Sequence, residues 1–493
     1  MAPAGACVAV LVLLGVSGHA LAQRVSVVAG LGLSQSVTDN RNLSATDQRT
    51  ESITTVSPNI RISSQRGRVT GALSYALNGI AYGRDSGANS VQNALSANFA
   101  AQIVERVFLI DGSANISQQS VSAFGLQSSG GGRINPNSAE TRSYSLSPSV
   151  QGQLFGDVSV QARLSTSGSS SAGIADSRRN THTGSVNLGE NVGRFGWGLD
   201  ASRTVADFAG GRESTGDRAG LSLFYTPDPS WRFFVRGGEE RQNVQTLEAT
   251  STTNYGGGVT WQPGPRTSLS LQTERRFFGD SHSLAFSHRF RRAAISYADS
   301  RSVSESTTGG GAAVSTYDLF FLQFASLEPD PVLRDRLVRD FLAAAGLDTD
   351  ERQGGGFLTT ALSVQRTQNL SLSVQGLRNT LVMSGFASNS RRVDRVSGGL
   401  DDLTRVDRVK QQGLSVSLSH RLTPRSAMVL SGSASRTPST GPVLGNSFRT
   451  VSLSWNMQVA QSIAVTASAR HSQARGANPY DENVLNATLN LSF

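Results

Sequence analysis

Cysteine is all but absent from these 493 residues; Cys7 is the only one. It precedes the first apolar run instead of following it, so it is not placed to carry a lipid anchor. Beyond residue 22 the chain has no thiol, which excludes disulfides and cysteine-based metal sites. Lysine is equally scarce. Lys410 stands alone among 45 basic residues, so arginine carries the formal net charge of +9. No proline-rich linker divides the chain, and glycine and serine recur throughout, so one large repetitive unit fits residues 23–493 better than several domains. Long hydrophobic runs are missing after residue 22, which excludes membrane-spanning helices. Also lacking are H-E-x-x-H, G-x-S-x-G and a nucleotide-binding loop, so the sequence points to no enzyme, no metal and no cofactor. The glycine triplets at 130–132, 256–258, 309–311 and 354–356 lack the Lys-Ser/Thr of a phosphate loop and read as flexible loops or strand bends.

What the chain does have is alternation. Val158-Ser-Val-Gln-Ala-Arg-Leu164, Leu269-Ser-Leu-Gln272, Leu370-Ser-Leu-Ser-Val374, Leu414-Ser-Val-Ser-Leu-Ser-His420 and Val451-Ser-Leu-Ser-Trp-Asn-Met457 are apolar at every second residue. Successive side chains of a strand face opposite ways, so each such strand has one greasy and one polar face. The last strand ends on an aromatic: Leu485, Ala487, Leu489, Leu491 and Phe493 share one face, with Asn486, Thr488, Asn490 and Ser492 on the other. A soluble sandwich could end so. An antiparallel transmembrane barrel explains it better, with the apolar face toward lipid and the aromatic in the interfacial girdle. The terminal strand also resembles the signal read by the barrel-assembly machinery, and closure predicts its pairing with the strand near residues 25–36.

The N-terminus, with an apolar run at Val8–Val16 and Ala20-Leu-Ala22 before Gln23, reads as a signal peptide over 1–22. Export and the all-β pattern together predict the outer membrane of a Gram-negative cell. Long polar loops at 38–51, 121–140, 167–181, 206–216, 303–313, 392–409 and 437–446 alternate with short turns such as Phe155-Gly-Asp157 and Thr423-Pro-Arg425. This asymmetry is that of outer-membrane barrels; if both termini sit in the periplasm the strand number is even, and the segments give about 22–24.

One segment breaks the pattern. Residues 329–347 read as an amphipathic helix, with Asp330 capping, Pro331 in the first turn and Gly346 at the stop. Leu333, Leu337, Val338, Phe341, Leu342 and Ala345 form its stripe. The strand count puts this insert on the periplasmic side, either packed under the rim or serving as a docking element or partial plug. Where the register is clear, Arg163, Gln272, Glu274, Arg421, Asn456, Gln458 and Arg470 fall on the polar, lumenal face, either as an anion-preferring lining or as paired wall charges. His282 and His288, six apart, read as a further lumen-facing pair. Thr38-Asp-Asn40 reads as a hairpin turn, with a calcium loop as the alternative.

Several phrases go beyond pattern: Ser36-Val-Thr-Asp-Asn-Arg-Asn-Leu-Ser44, Ile53-Thr-Thr-Val-Ser-Pro-Asn-Ile60, Gly67-Arg-Val-Thr-Gly-Ala-Leu-Ser-Tyr-Ala-Leu77 and Asn115-Ile-Ser-Gln-Gln-Ser-Val-Ser-Ala-Phe-Gly125. With the insert and the terminal Phe, they make the chain resemble the PEP-CTERM system-associated outer-membrane proteins, barrels that accompany exosortase and exopolysaccharide loci. The resemblance implies a channel or assembly component for exopolysaccharide export or surface display, and it carries over no catalytic residue. A general or nutrient-uptake porin and a structural or adhesive barrel remain open. The partners expected are outer-membrane lipid and lipopolysaccharide, the assembly machinery, an anionic polysaccharide and periplasmic export proteins. Nucleic acid is not among them.

Overall fold

The computed structural model describes residues 25–493 apart from 65–66, 130–134, 173–177, 209–212, 245–247, 305–307, 310–316, 318–319, 322–323, 325–333, 335–336, 339–340, 342–355 and 394–400. The signal segment and the Ala22/Gln23 boundary lie outside the described residues.

Twenty-two antiparallel strands pair each with the next and close on themselves. The closing contact joins Val25–Thr38 to Tyr480–Ser492, with Gly30 opposite Ser492, Leu33 opposite Leu489 and Thr38 opposite Val484. No helix among the described residues is long and apolar enough to cross a membrane; a closed barrel crosses with its strands. Most strands run 12 to 16 residues, for example Val25–Thr38 and Arg408–Thr423, long enough to traverse a bilayer at a tilt.

The serine-rich alternation folds this way because backbone polar groups pair between neighbouring strands while each strand still sorts its side chains. Leu164, Leu221, Val235, Leu370, Leu414, Leu430, Val451 and Leu485 stand exposed on the outside. Aromatics gather on that face near the short-turn end, where Trp231 stacks on Phe233 and touches Trp261, and Phe195 stacks on Tyr225. Phe493 is 78% exposed, and its amide donates to the Ala29 carbonyl at 2.8 Å.

Short turns collect at one end. In the one at 155–157 both Phe155 and Gly156 have positive φ, 54° and 92°, and three residues reverse the chain between paired Leu154 and Val158. The glycines at 256–258 lie inside the strand Thr250–Gly264. A Cβ on Gly256 would sit 2.2 Å from the Thr273 carbonyl and one on Gly258 2.4 Å from that of Leu271, so they permit close strand approach and are not a loop.

Three expectations are corrected. The insert joins Ala293–Ser304 to Ser363–Gln375, whose ends meet at Ser304 and Ser363. That is the long-loop end, the same end at which Thr38 faces Glu51, and not the short-turn end to which the strand count assigned it. Loop length misleads here, because the connection at Phe277-Phe278, also at the long-loop end, is as short as a periplasmic turn. His282 and His288 face outward, not into the lumen: both share a face with Leu284 and Phe286, and Leu284 pairs with outward Leu271. Thr38–Asn40 does not form the expected hairpin turn: Thr38 ends the first strand opposite Glu51, and Asp39 and Asn40 open the longer connection that follows. Asn40 bonds Ser44 and the Asp481 carbonyl, and Asp39 accepts from the Asn483 backbone and side chain.

Candidate functional site: the occluded lumen

A barrel of 22 strands is wide enough to enclose an aqueous channel or a plug, so its inner wall and what fills it are the place to look. The seven residues singled out from sequence alternate against exposed outward neighbours. Arg163 is opposite in facing to Leu164, Gln272 and Glu274 to Leu271, Asn456 and Gln458 to Trp455, and Arg470 to Ala469, the partner of outward Leu453. Arg421 pairs with buried Ala427 near the short-turn end.

Most of these polar groups are engaged by the wall itself. Arg163 pairs with Asp111 at 3.1 Å, and Arg470 lies 3.8 Å from Glu482. Arg421 donates to the Leu377 carbonyl at 2.5 Å, and Gln458 to that of Ala460 at 2.7 Å. Asn456 accepts from Thr466 at 2.8 Å. Glu274 accepts from Arg218 and stands 3.9 Å from Arg236, which itself pairs with Asp200 at 2.5 Å. Arg276 grips Glu240 with two bonds, at 2.9 and 3.1 Å. The inner wall of strands Phe195–Phe208 through Thr267–Arg276 is therefore a lattice of alternating sign rather than a ring of one sign. Arg218, Arg236, Asp200, Arg276 and Glu240 were legible from strand parity and were not singled out.

The lumen is not empty. Tyr317, Phe320, Phe321 and Phe324 are helical, as are Arg334, Leu337, Val338 and Phe341. Phe320, Phe324 and Val338 are buried together against Val382 and Val429, with Tyr317, Phe321 and Phe341 packed around them. Phe341 lies 5.1 Å from the Phe320 ring and 5.2 Å from the Phe324 ring, and the Arg334 guanidinium covers Phe321 at 4.5 Å. Val382 and Val429 are lumenal, since Leu430 beside Val429 faces out and Val382 pairs with Ser417, next to outward Leu418. Both lie three residues past short turns, in strands Asn379–Arg392 and Ser426–Thr437. Residues entering from the long-loop end thus reach down to the other end of the barrel. Ala294, Ser373, Ser419 and Ala427 on the same stretch of wall are buried as well.

Of the predicted helical stripe, Val338 and Phe341 face this cluster, while Leu337 is 37% exposed. Leu333, Leu342, Ala345 and the capping positions Asp330, Pro331 and Gly346 lie outside the described residues. The first helical stretch was not anticipated, although Tyr317, Phe320, Phe321 and Phe324 stand at i, i+3, i+4 and i+7, the spacing of one helix face.

At the other end the mouth is covered. Ala123, Phe124, Phe357, Ala361, Leu403, Val406 and Val409 form a buried apolar cluster drawn from three connections and the start of one strand. Ser122 and the Ala123 amide donate to Asp402 at 2.8 and 2.6 Å. Asn446 donates to the carbonyls of Ala123 and Gly125, and Tyr480 to that of Gln127. The loop after Phe108–Ser120 therefore crosses the opening. Burial lifts the Asp402 carboxyl above its ordinary pKa, against the two hydrogen bonds and Arg405, which pull it down. No group of three or more His, Cys, Asp or Glu suited to a metal occurs among the described residues.

No protein-family model and no curated protein matches the sequence. Solved structures do resemble it. The FrpB iron transporter from Neisseria meningitidis (F5-1 variant, apoprotein) has a TM-score of 0.50 at 11% identity, covering 94% of this chain and 81% of that one. The siderophore receptor PirA from Pseudomonas aeruginosa scores 0.45 at 8% identity over 95% and 80% of the two chains. The outer membrane protein opdK from Pseudomonas aeruginosa scores 0.35 at 10% identity over 95% and 99%. The likeness to FrpB is one of fold alone, a large closed outer-membrane-type barrel.

Proposed function

We propose that the chain is a Gram-negative outer-membrane channel whose own insert occludes the lumen, and that it serves export or surface assembly of an exopolysaccharide in a PEP-CTERM/exosortase system. The observation that carries the gated-channel reading is the seating of Phe320, Phe324 and Val338 on lumenal Val382 and Val429. An apolar contact inside an otherwise polar wall is a two-state element: seated, it blocks the path, and withdrawn, it leaves a hydrated passage lined by Arg–carboxylate pairs. The link to exopolysaccharide rests on the phrases at 36–44, 53–60, 67–77 and 115–125. The energy for export would come from periplasmic partners, since the sequence holds no nucleotide-binding loop.

Planar-bilayer recording tests the gate. The full chain is expected to conduct rarely, and a variant lacking residues 313–355 to conduct steadily. Equal, constitutive conductance from both would establish a general porin instead. Secreted and cell-bound polysaccharide compared between the parent strain and a gene deletion tests the cargo, and unchanged amounts would remove the export role. A structural or adhesive barrel is favoured by one observation, the apolar cap over the mouth. It predicts silence even without the insert.

A further inference from the structure

The outer face offers a second site. Above the apolar band, arginines on one side of the barrel are matched by acids: Arg203 with Asp217, Arg275 with Asp280, and Arg366 with Asp299, which also engages His282 and Gln368. On the neighbouring strands Asn379–Arg392, Arg408–Thr423, Ser426–Thr437 and Asn446–Ala460 the cations change character. Arg391, Arg408, Lys410, Arg436 and Arg449 are all exposed. Each shares its strand's outward face, Arg408 and Lys410 with Leu414, Arg436 with Leu430, Arg449 with Val451, and Arg391 with Met383, the partner of outward Val416. Among the described residues none of the five has a carboxylate within ion-pair distance; Arg408 has only the Asn389 side-chain carbonyl, at 2.7 Å.

Arg391 and Arg408 are direct cross-strand partners, and Lys410 stands opposite Asn389, one outward position away. Like charges set directly opposite on a sheet repel and destabilise the pairing. Five such cations, with no acid in reach among the described residues, hold together best with an anion between them. Directly toward the short-turn end, the same outward faces turn apolar and exposed: Leu414 and Leu418, Leu430, then Val451, Leu453 and Trp455. Cations over apolar surface on a lipid-facing wall match an amphiphile with anionic headgroups and several acyl chains. Arginine's planar fork suits phosphate in particular.

We propose that this sector, Arg391, Arg408, Lys410, Arg436 and Arg449 above the Leu414–Trp455 apolar face, is a binding site for the phosphorylated glycolipid of the external leaflet, with its phosphates on the cations and its acyl chains on the apolar rows. The site rests on the outer wall alone and stands whether or not the lumen conducts.

The probes are bisphosphorylated lipid A, its dephosphorylated form and phosphatidylglycerol, each added to the purified full-length barrel in neutral detergent. Binding is read by the shift in thermal unfolding and by native mass spectrometry. Bisphosphorylated lipid A is expected to bind and to raise the unfolding temperature, with the dephosphorylated form at least tenfold weaker. Arg391→Gln/Arg408→Gln/Arg436→Gln/Arg449→Gln is expected to lose at least tenfold in affinity, while Arg203→Gln, in the acid-matched sector, keeps it. Affinity of the unaltered protein should also fall steeply with salt, a readout independent of whether the quadruple variant folds. Equal binding of the dephosphorylated lipid, absence of salt dependence, or unchanged affinity in a folded quadruple variant would each overturn the site. Tighter binding of phosphatidylglycerol than of bisphosphorylated lipid A would do the same, because it would show a general anionic-lipid surface.

Discussion

The hydroxyl of Thr38, on the first strand, donates to the Glu482 carboxylate, on the last, at 2.8 Å, and neither side chain is accessible to solvent. With Arg470 at 3.8 Å from the same carboxylate, this is a polar lock on the lumenal side of the seam where the barrel closes. Glu482→Leu leaves Arg470 facing an apolar neighbour, and stranding one partner of a buried pair costs about 3–5 kcal/mol. Denaturant unfolding in detergent should show a loss of that order. Adding Arg470→Leu should restore most of it, and a double variant no more stable than the single one would refute the lock.

Deleting Phe493 removes one backbone bond, to Ala29, and a side chain already exposed to lipid. The barrel refolded in detergent should therefore lose no more than about 1 kcal/mol. We propose that the terminal aromatic is read during assembly, so in cells the membrane-inserted amount should fall several-fold. Equal membrane levels, measured by heat-modifiable gel mobility, would argue against that role.

Phe324→Ala empties part of the contact with Val382 and Val429. Truncating a buried Phe costs about 3–5 kcal/mol, and here the loss falls on seating of the insert, not on the sheet. Single-channel recording should show a large rise in open time with the barrel's own unfolding midpoint little changed. A matched drop in barrel stability with no opening would mean that the insert is only a structural filler.

Glu274 balances Arg218 and lies near Arg236. Glu274→Gln keeps the shape and removes one negative charge, leaving the lumen with an added positive one. In a variant without the insert, the reversal potential across a salt gradient should move toward anions. A shift toward cations, or none, would show that these side chains do not face the conducting path.

Asp402 anchors the loop that crosses the mouth, and burial raises its pKa above the ordinary 3.8. A raised carboxyl pKa means that the folded state holds its proton more tightly than the unfolded one. That contribution to loop docking is fully present below about pH 3.8 and is lost as pH rises through the higher folded value. Hydrogen exchange at the Ala123 amide should accordingly quicken with rising pH beyond its intrinsic trend. Asp402→Asn, which keeps an acceptor and cannot ionise, should abolish that extra dependence.

Much of this architecture could be read from residues alone because a barrel strand is a local object. Period-two alternation in Leu414–His420 or Leu485–Phe493 needs no knowledge of neighbours to assign a lipid face and a lumenal face, and the same parity placed Arg163, Glu274 and Arg470. Parity also held the answer for His282 and His288, which flank Leu284 and Phe286 at even spacing and so share their outward face. Apolar Val382 and Val429, at positions where alternation calls for polar residues, were a visible sign that something greasy occupies the lumen.

What no stretch of sequence could supply was the end of the barrel at which the insert lies and what it touches. The end depends on counting every preceding strand correctly, and a two-residue hairpin at Phe277-Phe278 is enough to obscure the count. The contact with Val382 and Val429 joins residues far apart in the chain across a closed sheet, and Thr38 meets Glu482 only because the first and last strands pair. Alternation is written into each strand by the pleat of its own backbone. Closure, the plugged lumen and the covered mouth come only from the cyclic arrangement of all twenty-two.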